Sequence, residues 1–164
     1  MEEINHNFFI QQGILDCQID QLIDFSNTDP EVIKNTSDPI RFKDLNSFNN
    51  WLEKGKIIYT LTDKNHNLLG IIWFSHKNPP IKTNANFTFA IRVYPPARGE
   101  GLSLDFTTSA FTDLLKSKES SKIVGFWLEV SNSNQAAIKT YEKFGFQKIS
   151  KPDNNHKIIM IMEK

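Results

Sequence analysis

Apolar positions along this chain switch between a period of two and a period near 3.6, and each switch marks an element. Residues 7–12 (NFFIQQ) read as a short strand. From Asp16 to Phe25, Ile19, Leu22, Ile23 and Phe25 fall on one side of an amphipathic helix. Asp29-Pro30 and Asp38-Pro39 break the polar stretch Ser26 to Ile40. That stretch reads as a loop with room for a short helix, or as a mobile segment over a substrate site. Phe42 to Lys54 is a second helix. Asp44 suits its N-cap, Leu45, Phe48, Trp51 and Leu52 form its apolar face, and Gly55 ends it.

Ile57 to Thr62, a turn at residues 63–67 and Leu68 to Ser75 read as an antiparallel hairpin, with Gly70 marking a bulge. Lys77 to Ala85 carries Pro79-Pro80 and is a loop. Phe87, Phe89, Ile91 and Val93 alternate as a strand that Pro95 and Pro96 stop, because proline offers no ladder N–H. After Arg98-Gly99-Glu100-Gly101, Leu102, Phe106, Ala110 and Leu114 step four residues at a time along a helix to about Lys116. Lys118 to Lys122 is a charged connector. Ile123 to Val130 is a strand, Gln135 to Phe144 a helix ended by Gly145, and Phe146 to Ile149 and Lys157 to Met162 are the last strands. Antiparallel strands come first, and the later β-helix-β unit implies a parallel pair. The expectation is one α/β (α+β) domain over residues 1–164.

Composition narrows the partners. The 164 residues suffice for a real core, and 39% hydrophobic with 23% charged residues fits a soluble globule. Formal net charge is zero, so no global basic field recruits nucleic acid or an acidic membrane. No apolar run approaches the ~20 residues of a transmembrane helix. The N-terminus has no basic region followed by an apolar core. Cys17, the single cysteine, forms no internal disulfide and is expected as a buried thiol; a cytoplasmic setting fits. The four histidines lack metal-ligand spacing, so no metal is expected. Trp51, Trp73 and Trp127 read as core. Three arginines (Arg41, Arg92, Arg98) stand against sixteen lysines, so an arginine beside two glycines calls for a reason.

Two stretches carry candidate chemistry, Arg98 to Ser103 and Leu128 to Phe146. A Gly-rich turn opening a helix leaves unpaired N–H groups and the positive end of the dipole outward, which favours a phosphate or pyrophosphate. Arg98 adds a cationic fork. The other reading is a strand-to-helix turn that needs flexible residues. Neither GxxxxGK[ST] nor a full GxGxxG is present, so neither a P-loop triphosphatase nor a Rossmann dehydrogenase is supported. Glu129 points away from the face of Leu128 and Val130 near a strand end. There it is either an exposed glutamate or a carboxylate raised toward a useful base. Tyr141 shares a helix face with Ala137 and Phe144, the pattern of a core tyrosine. Asn134 can cap that helix or hold a ligand amide.

Arg98-x-x-Gly101-x-Ser103, following a strand that ends Val93-x-Pro95, resembles motif A of the GCN5-related N-acetyltransferases (GNAT). Asn134-x-x-Ala137-x-x-x-Tyr141-Glu142-Lys143-x-Gly145-Phe146 is similar to their motif B. The resemblance covers residues 57–162 well and residues 1–56 in element order only. It implies a mixed, mostly antiparallel sheet of about six to seven strands with about four helices. It implies acetyl-CoA as cosubstrate, lying between the strand that ends at Val93 and the strand that ends at Val130. Backbone groups of Ile91, Arg92 and Val93 would pair with pantetheine. Arg98, Gly99, Glu100, Gly101, Leu102 and Ser103 would hold the pyrophosphate, with Asn134 and Ala137 orienting pantetheine. Tyr141 would be the general acid and Glu129, twelve residues earlier, the general base. Leu-Glu-Val-x-x-Ser-Asn looks most like the ribosomal-protein-alanine and other protein N-terminal acetyltransferases. Small-molecule acceptors (polyamines, amino acids, aminoglycosides) and a non-catalytic acyl-CoA-binding module are the alternatives, and both monomer and homodimer remain open.

Overall fold

Aspartate followed by proline proves to start helices in this chain rather than to break it. In the computed structural model, which describes residues 2–5 and 7–164, Asp29 caps a helix at Pro30–Asn35 by accepting from the Glu31 N–H at 3.1 Å. Pro30 sits in its first turn, where the missing N–H costs nothing. A second short helix, Asp38–Arg41, has Pro39 in its first turn. Residues 26–40 are therefore mostly helical, where the sequence reading gave a loop with room for one short helix or a mobile segment.

Among the described residues the helices are α1 (Asp16–Thr28), α2 (Pro30–Asn35), α3 (Asp38–Arg41), α4 (Leu45–Leu52), α5 (Ser103–Lys116) and α6 (Gln135–Phe144). The strands are β1 (Glu2–Asn5), β2 (Phe8–Gln12), β3 (Ile57–Thr62), β4 (Leu68–His76), β5 (Phe87–Val93), β6 (Gly125–Ser131), β7 (Gln147–Lys148) and β8 (Lys157–Glu163). The α/β class holds. Eight strands and six α-helices exceed the expected counts, through β1 at the start and through α2 and α3. Pro95–Ala97 and Lys118–Lys122 are 3-10 turns. Asp44 caps α4 as read, accepting from the Ser47 N–H at 2.8 Å. That helix starts later than expected because Phe42 closes α3, its N–H donating to the Asp38 carbonyl.

The chain divides into two compact units. One takes the chain up to Trp73 together with Ile91–Ala110; the other takes Phe74–Ala90 and Phe111–Lys164. β4, β5 and α5 each contribute to both.

In the first unit the strands run β1-β2-β3-β4-β5. β2 pairs antiparallel with β1 and β3, and the Tyr94 N–H donates to the Leu69 carbonyl at 2.8 Å. α1 buries Gln18, Leu22 and Ser26, a spacing of four. Gln18 is fully buried because its amide is used twice: Oε1 accepts from the Leu15 N–H and Nε2 donates to the His66 carbonyl. Cys17 lies one position off this face and is exposed, which corrects its reading as a buried thiol. Gly70 accommodates a close approach: a Cβ there would lie 2.7 Å from the Arg92 carbonyl oxygen. The core centres on Phe42, Phe48, Trp51 and Trp73, whose rings meet mostly edge to face, as their quadrupoles favour.

Buried charge is the costly part of this unit. Asp38 has no solvent exposure. Its carboxylate accepts from Arg41 and from Arg92, the latter through Nε at 2.6 Å and Nη2 at 3.2 Å. Both guanidinium groups lie over Trp73, 5.3 and 5.1 Å from the ring centroid.

The second unit carries β4-β5-β6-β8-β7. β5 and β6 are parallel, joined at Phe87↔Phe126 and Thr88↔Trp127. β8 pairs antiparallel with β6 from Gly125↔Glu163 to Ser131↔Lys157. Phe111 is the hub of its core, with Phe74, Phe89, Phe126 and Phe144 all within 5.0 Å between centroids. Trp127 packs with Ala85 and Ile159, and its Nε1 donates to the Lys77 carbonyl at 2.6 Å.

Asp38→Ala strands two half-buried arginines, and removal of one partner of a buried pair costs about 3 kcal/mol or more. Urea unfolding is expected to show that loss.

Candidate functional site

Residues with candidate chemistry occur in each unit. In the first, β5 ends at Val93, Pro95–Ala97 turns the chain, and residues 98–102 lead into α5. Gly99 and Gly101 have φ of 94° and 74°, the left-handed region that glycine enters freely. A Cβ at either would meet nothing within 4 Å, so the backbone conformation and not crowding demands glycine there. Among the described residues, the N–H groups of Gly99, Gly101, Leu102 and Ser103 donate to no partner, while Glu100 donates weakly to the Ala97 carbonyl at 3.4 Å. Leu102, Phe106, Ala110 and Leu114 are all buried, so the four-residue step found in the sequence is the face that seats α5. Unpaired N–H groups at the start of a long helix form an anion-binding arrangement.

The arginines of β5 and the turn are already engaged. Arg98 donates through Nη2 to Asp29 Oδ2 at 2.5 Å and through Nη1 to Oδ1 at 3.3 Å. Its Nη2 and Nε also reach the Val93 carbonyl, at 3.1 and 3.3 Å. Arg92 spans Asp38 and the Ile91 carbonyl, 2.8 Å from its Nη1. Each arginine thus bridges a buried aspartate and a carbonyl of β5. The Arg98 guanidinium holds the Asp29 carboxyl below the usual carboxylate range, helped by the Glu31 N–H and opposed by burial. Arg98 is raised in turn, chiefly by its hydrogen bond to Asp29. Neither aspartate was among the site residues read from the sequence, although each precedes a proline at a helix start.

In the second unit, Glu129 lies on β6 opposite Ile159. Its carboxylate is exposed, with Lys157 Nζ at 4.0 Å. Of the two readings left open for it, the solvated strand-end glutamate describes its surroundings. Asn134 caps α6, its Oδ1 accepting from the Ala137 N–H at 3.2 Å. Gly145 closes the helix in the left-handed conformation, φ 110°, and the Phe146 N–H returns to the Tyr141 carbonyl at 2.9 Å. Tyr141 is half-buried and meets Phe89 of β5 edge-on, centroids 5.8 Å apart, and Phe146 at 6.1 Å. Phe89 is the residue just beyond the parallel β5–β6 pairing, so the Tyr141 ring is fixed beside that point by aromatic contacts.

Among the described residues no three His, Cys, Asp or Glu side chains gather as a metal site, and no helix is long and apolar enough to cross a membrane.

Comparison with known proteins gives a consistent picture. The sequence model of the Acetyltransferase (GNAT) family matches residues 19–146. None of the curated proteins matches the sequence. The chain is similar in structure to a spermidine N-acetyltransferase from Vibrio cholerae, solved in complex with CoA and spermine. The TM-score is 0.71 at 15% identity, covering 96% of this chain and 94% of that one. It is also similar to smu.2055 from Streptococcus mutans UA159, with a TM-score of 0.69 at 21% identity over 94% and 98% of the two chains. These likenesses show the fold. They do not single out the protein N-terminal acetyltransferase subgroup, which rested on a few residues around Glu129.

The sign of the Asp29 shift fixes a pH dependence. Because its folded value is depressed, the stability it contributes is complete above the ordinary aspartate value and is lost as pH falls through the lower folded value. Acid unfolding curves of wild type and Asp29→Asn are expected to converge at low pH and to separate, wild type the more stable, as pH rises.

Proposed function

Because the chain belongs to the acetyltransferase (GNAT) family, we propose that it transfers the acetyl group of acetyl-CoA to a primary amine by direct attack. The observation that carries this reading is the set of N–H groups of Gly99, Gly101, Leu102 and Ser103, which donate to no partner among the described residues at the start of α5. A pyrophosphate supplies the acceptors those donors lack, and the helix dipole adds to the attraction. Backbone groups of Ile91, Arg92 and Val93 are assigned to the pantetheine amides. Asn134 keeps its side-chain N–H groups for the same moiety while its oxygen caps α6, and Ala137 gives that helix a small side chain beside the cap. We treat residues 1–164 as one catalytic domain, since the family match runs through both compact units.

In the reaction the amine nitrogen bonds to the thioester carbonyl carbon and the C–S bond breaks. The departing thiolate takes a proton from the Tyr141 hydroxyl, which suits a tyrosine whose ring is held by Phe89 and Phe146. Glu129, exposed to solvent, accepts the proton released by the amine. That exposure lets a cationic amine approach its carboxylate, with Lys157 as a displaceable neighbour.

The acceptor is the open part. A small polyamine fits at least as well as a protein N-terminus, and the spermine complex of the similar Vibrio cholerae enzyme supports it. Thiol release measured with polyamines, N-terminal peptides, amino acids and aminoglycosides separates these classes. Binding of acetyl-CoA without turnover on any acceptor would identify a non-catalytic module instead.

Tyr141→Phe is expected to lower kcat about a hundredfold, the scale of a lost general acid, and to leave CoA affinity within a factor of about two. Steady-state kinetics with titration calorimetry checks both, and full activity in the variant contradicts the acid assignment.

A further inference from the structure

Arg98 sits in the turn whose N–H groups are assigned to pyrophosphate, yet its guanidinium is committed elsewhere. Four of its hydrogen bonds go to Asp29 and the Val93 carbonyl. Asp29 is 4% exposed, and its own carboxylate is fixed from behind by the Glu31 N–H. A cation so held has little freedom to follow a ligand. It acts instead on the chain around it. The bridge runs from the α2 cap through the guanidinium to the last residue of β5, and so fixes where the strand stops and where the turn begins. The Asp38–Arg92–Ile91 bridge repeats the arrangement two residues earlier on the strand. Arginine suits both places because its planar fork serves a carboxylate and a carbonyl at once, which a lysine ammonium does less well.

Resting on the reading of residues 98–103 as the CoA pyrophosphate seat, we propose that Asp29 is a positioning residue of the cosubstrate site. It acts through Arg98, holding the turn so that the unpaired N–H groups of Gly99, Gly101, Leu102 and Ser103 are set together before CoA arrives. Arg98 serves by this bridge and not as a direct ligand of the phosphates. A preorganised set of donors binds more tightly than one that must be ordered on binding. The two roles of Arg98 predict opposite effects. If Arg98 were a phosphate ligand held back by Asp29, removing the carboxylate would free it and tighten CoA binding. If the bridge positions the turn, removing the carboxylate weakens binding.

The test compares wild type with Asp29→Asn, Arg98→Gln and the double variant. The proposal expects KM for acetyl-CoA and the calorimetric Kd for CoA to rise roughly tenfold in each single variant, the scale of one charge-assisted hydrogen-bonded pair. The double variant should be no worse than either single one, because both lose the same bridge. The value of kcat at saturating acetyl-CoA should stay near wild type. Amide exchange of residues 98–103 in the CoA-free protein should quicken in Asp29→Asn. Equal or tighter CoA binding by Asp29→Asn overturns the proposal while the pyrophosphate reading stands. So does a fall in kcat with KM unchanged, the mark of a merely structural role, and so does unchanged exchange at residues 98–103. A wild-type protein that binds no CoA overturns the proposed function and this proposal together.

Discussion

Two carboxylates removed from water, Asp29 and Asp38, set the terms for the first unit of this molecule. A buried carboxylate is tolerated only when it is paired and its oxygens are hydrogen-bonded. All three arginines of the chain meet that need: Arg41 and Arg92 at Asp38, and Arg98 at Asp29. Because Arg92 belongs to β5 and Arg98 to the turn after it, satisfying the aspartates fastens the α2–α3 segment to the part of the chain that carries the candidate anion site. Neutralisation and positioning are the same set of hydrogen bonds. The guanidinium groups over Trp73 extend this into the aromatic core, so the polar posts and the packed rings are contiguous.

The second unit reaches its candidate residues by a different route. A cluster of aromatic rings around Phe111 lies in its core, and Tyr141 is one more ring at the margin of that cluster. The periodicity that made Tyr141 look like a core residue and the family motif that made it look like an acid describe the same side chain. Edge-to-face contacts with Phe89 and Phe146 restrain the ring. Glu129 differs, since its strand is fully paired with β8 but its carboxylate faces solvent.

Much of this was legible from residue order because the relevant signals are local. The four-residue step of α5, the Asn134 cap and Gly145 stop of α6, and the alternation of β5 each depend on a few neighbours in sequence, and each matches the structure closely. What escaped is non-local or ambiguous. Asp29-Pro30 and Asp38-Pro39 are equally the grammar of a loop and of a helix start, and only packing decides. The scarcity of arginine singled out Arg98, but not the partner sixty-nine residues away that explains it. At Gly70 a sequence cannot display the approaching Arg92 carbonyl. Cys17 was displaced by one position from a face that buries glutamine and serine, polar residues whose hydrogen bonds no hydropathy pattern reveals.

The central claim is that the N–H groups at residues 99–103 receive the CoA pyrophosphate. Amide hydrogen exchange, followed with and without saturating CoA, observes those groups themselves. The account predicts strong protection of Gly99, Gly101, Leu102 and Ser103 on binding, with the second turn of α5 changing little. Binding of CoA that leaves these four amides exchanging at their free rate would contradict it.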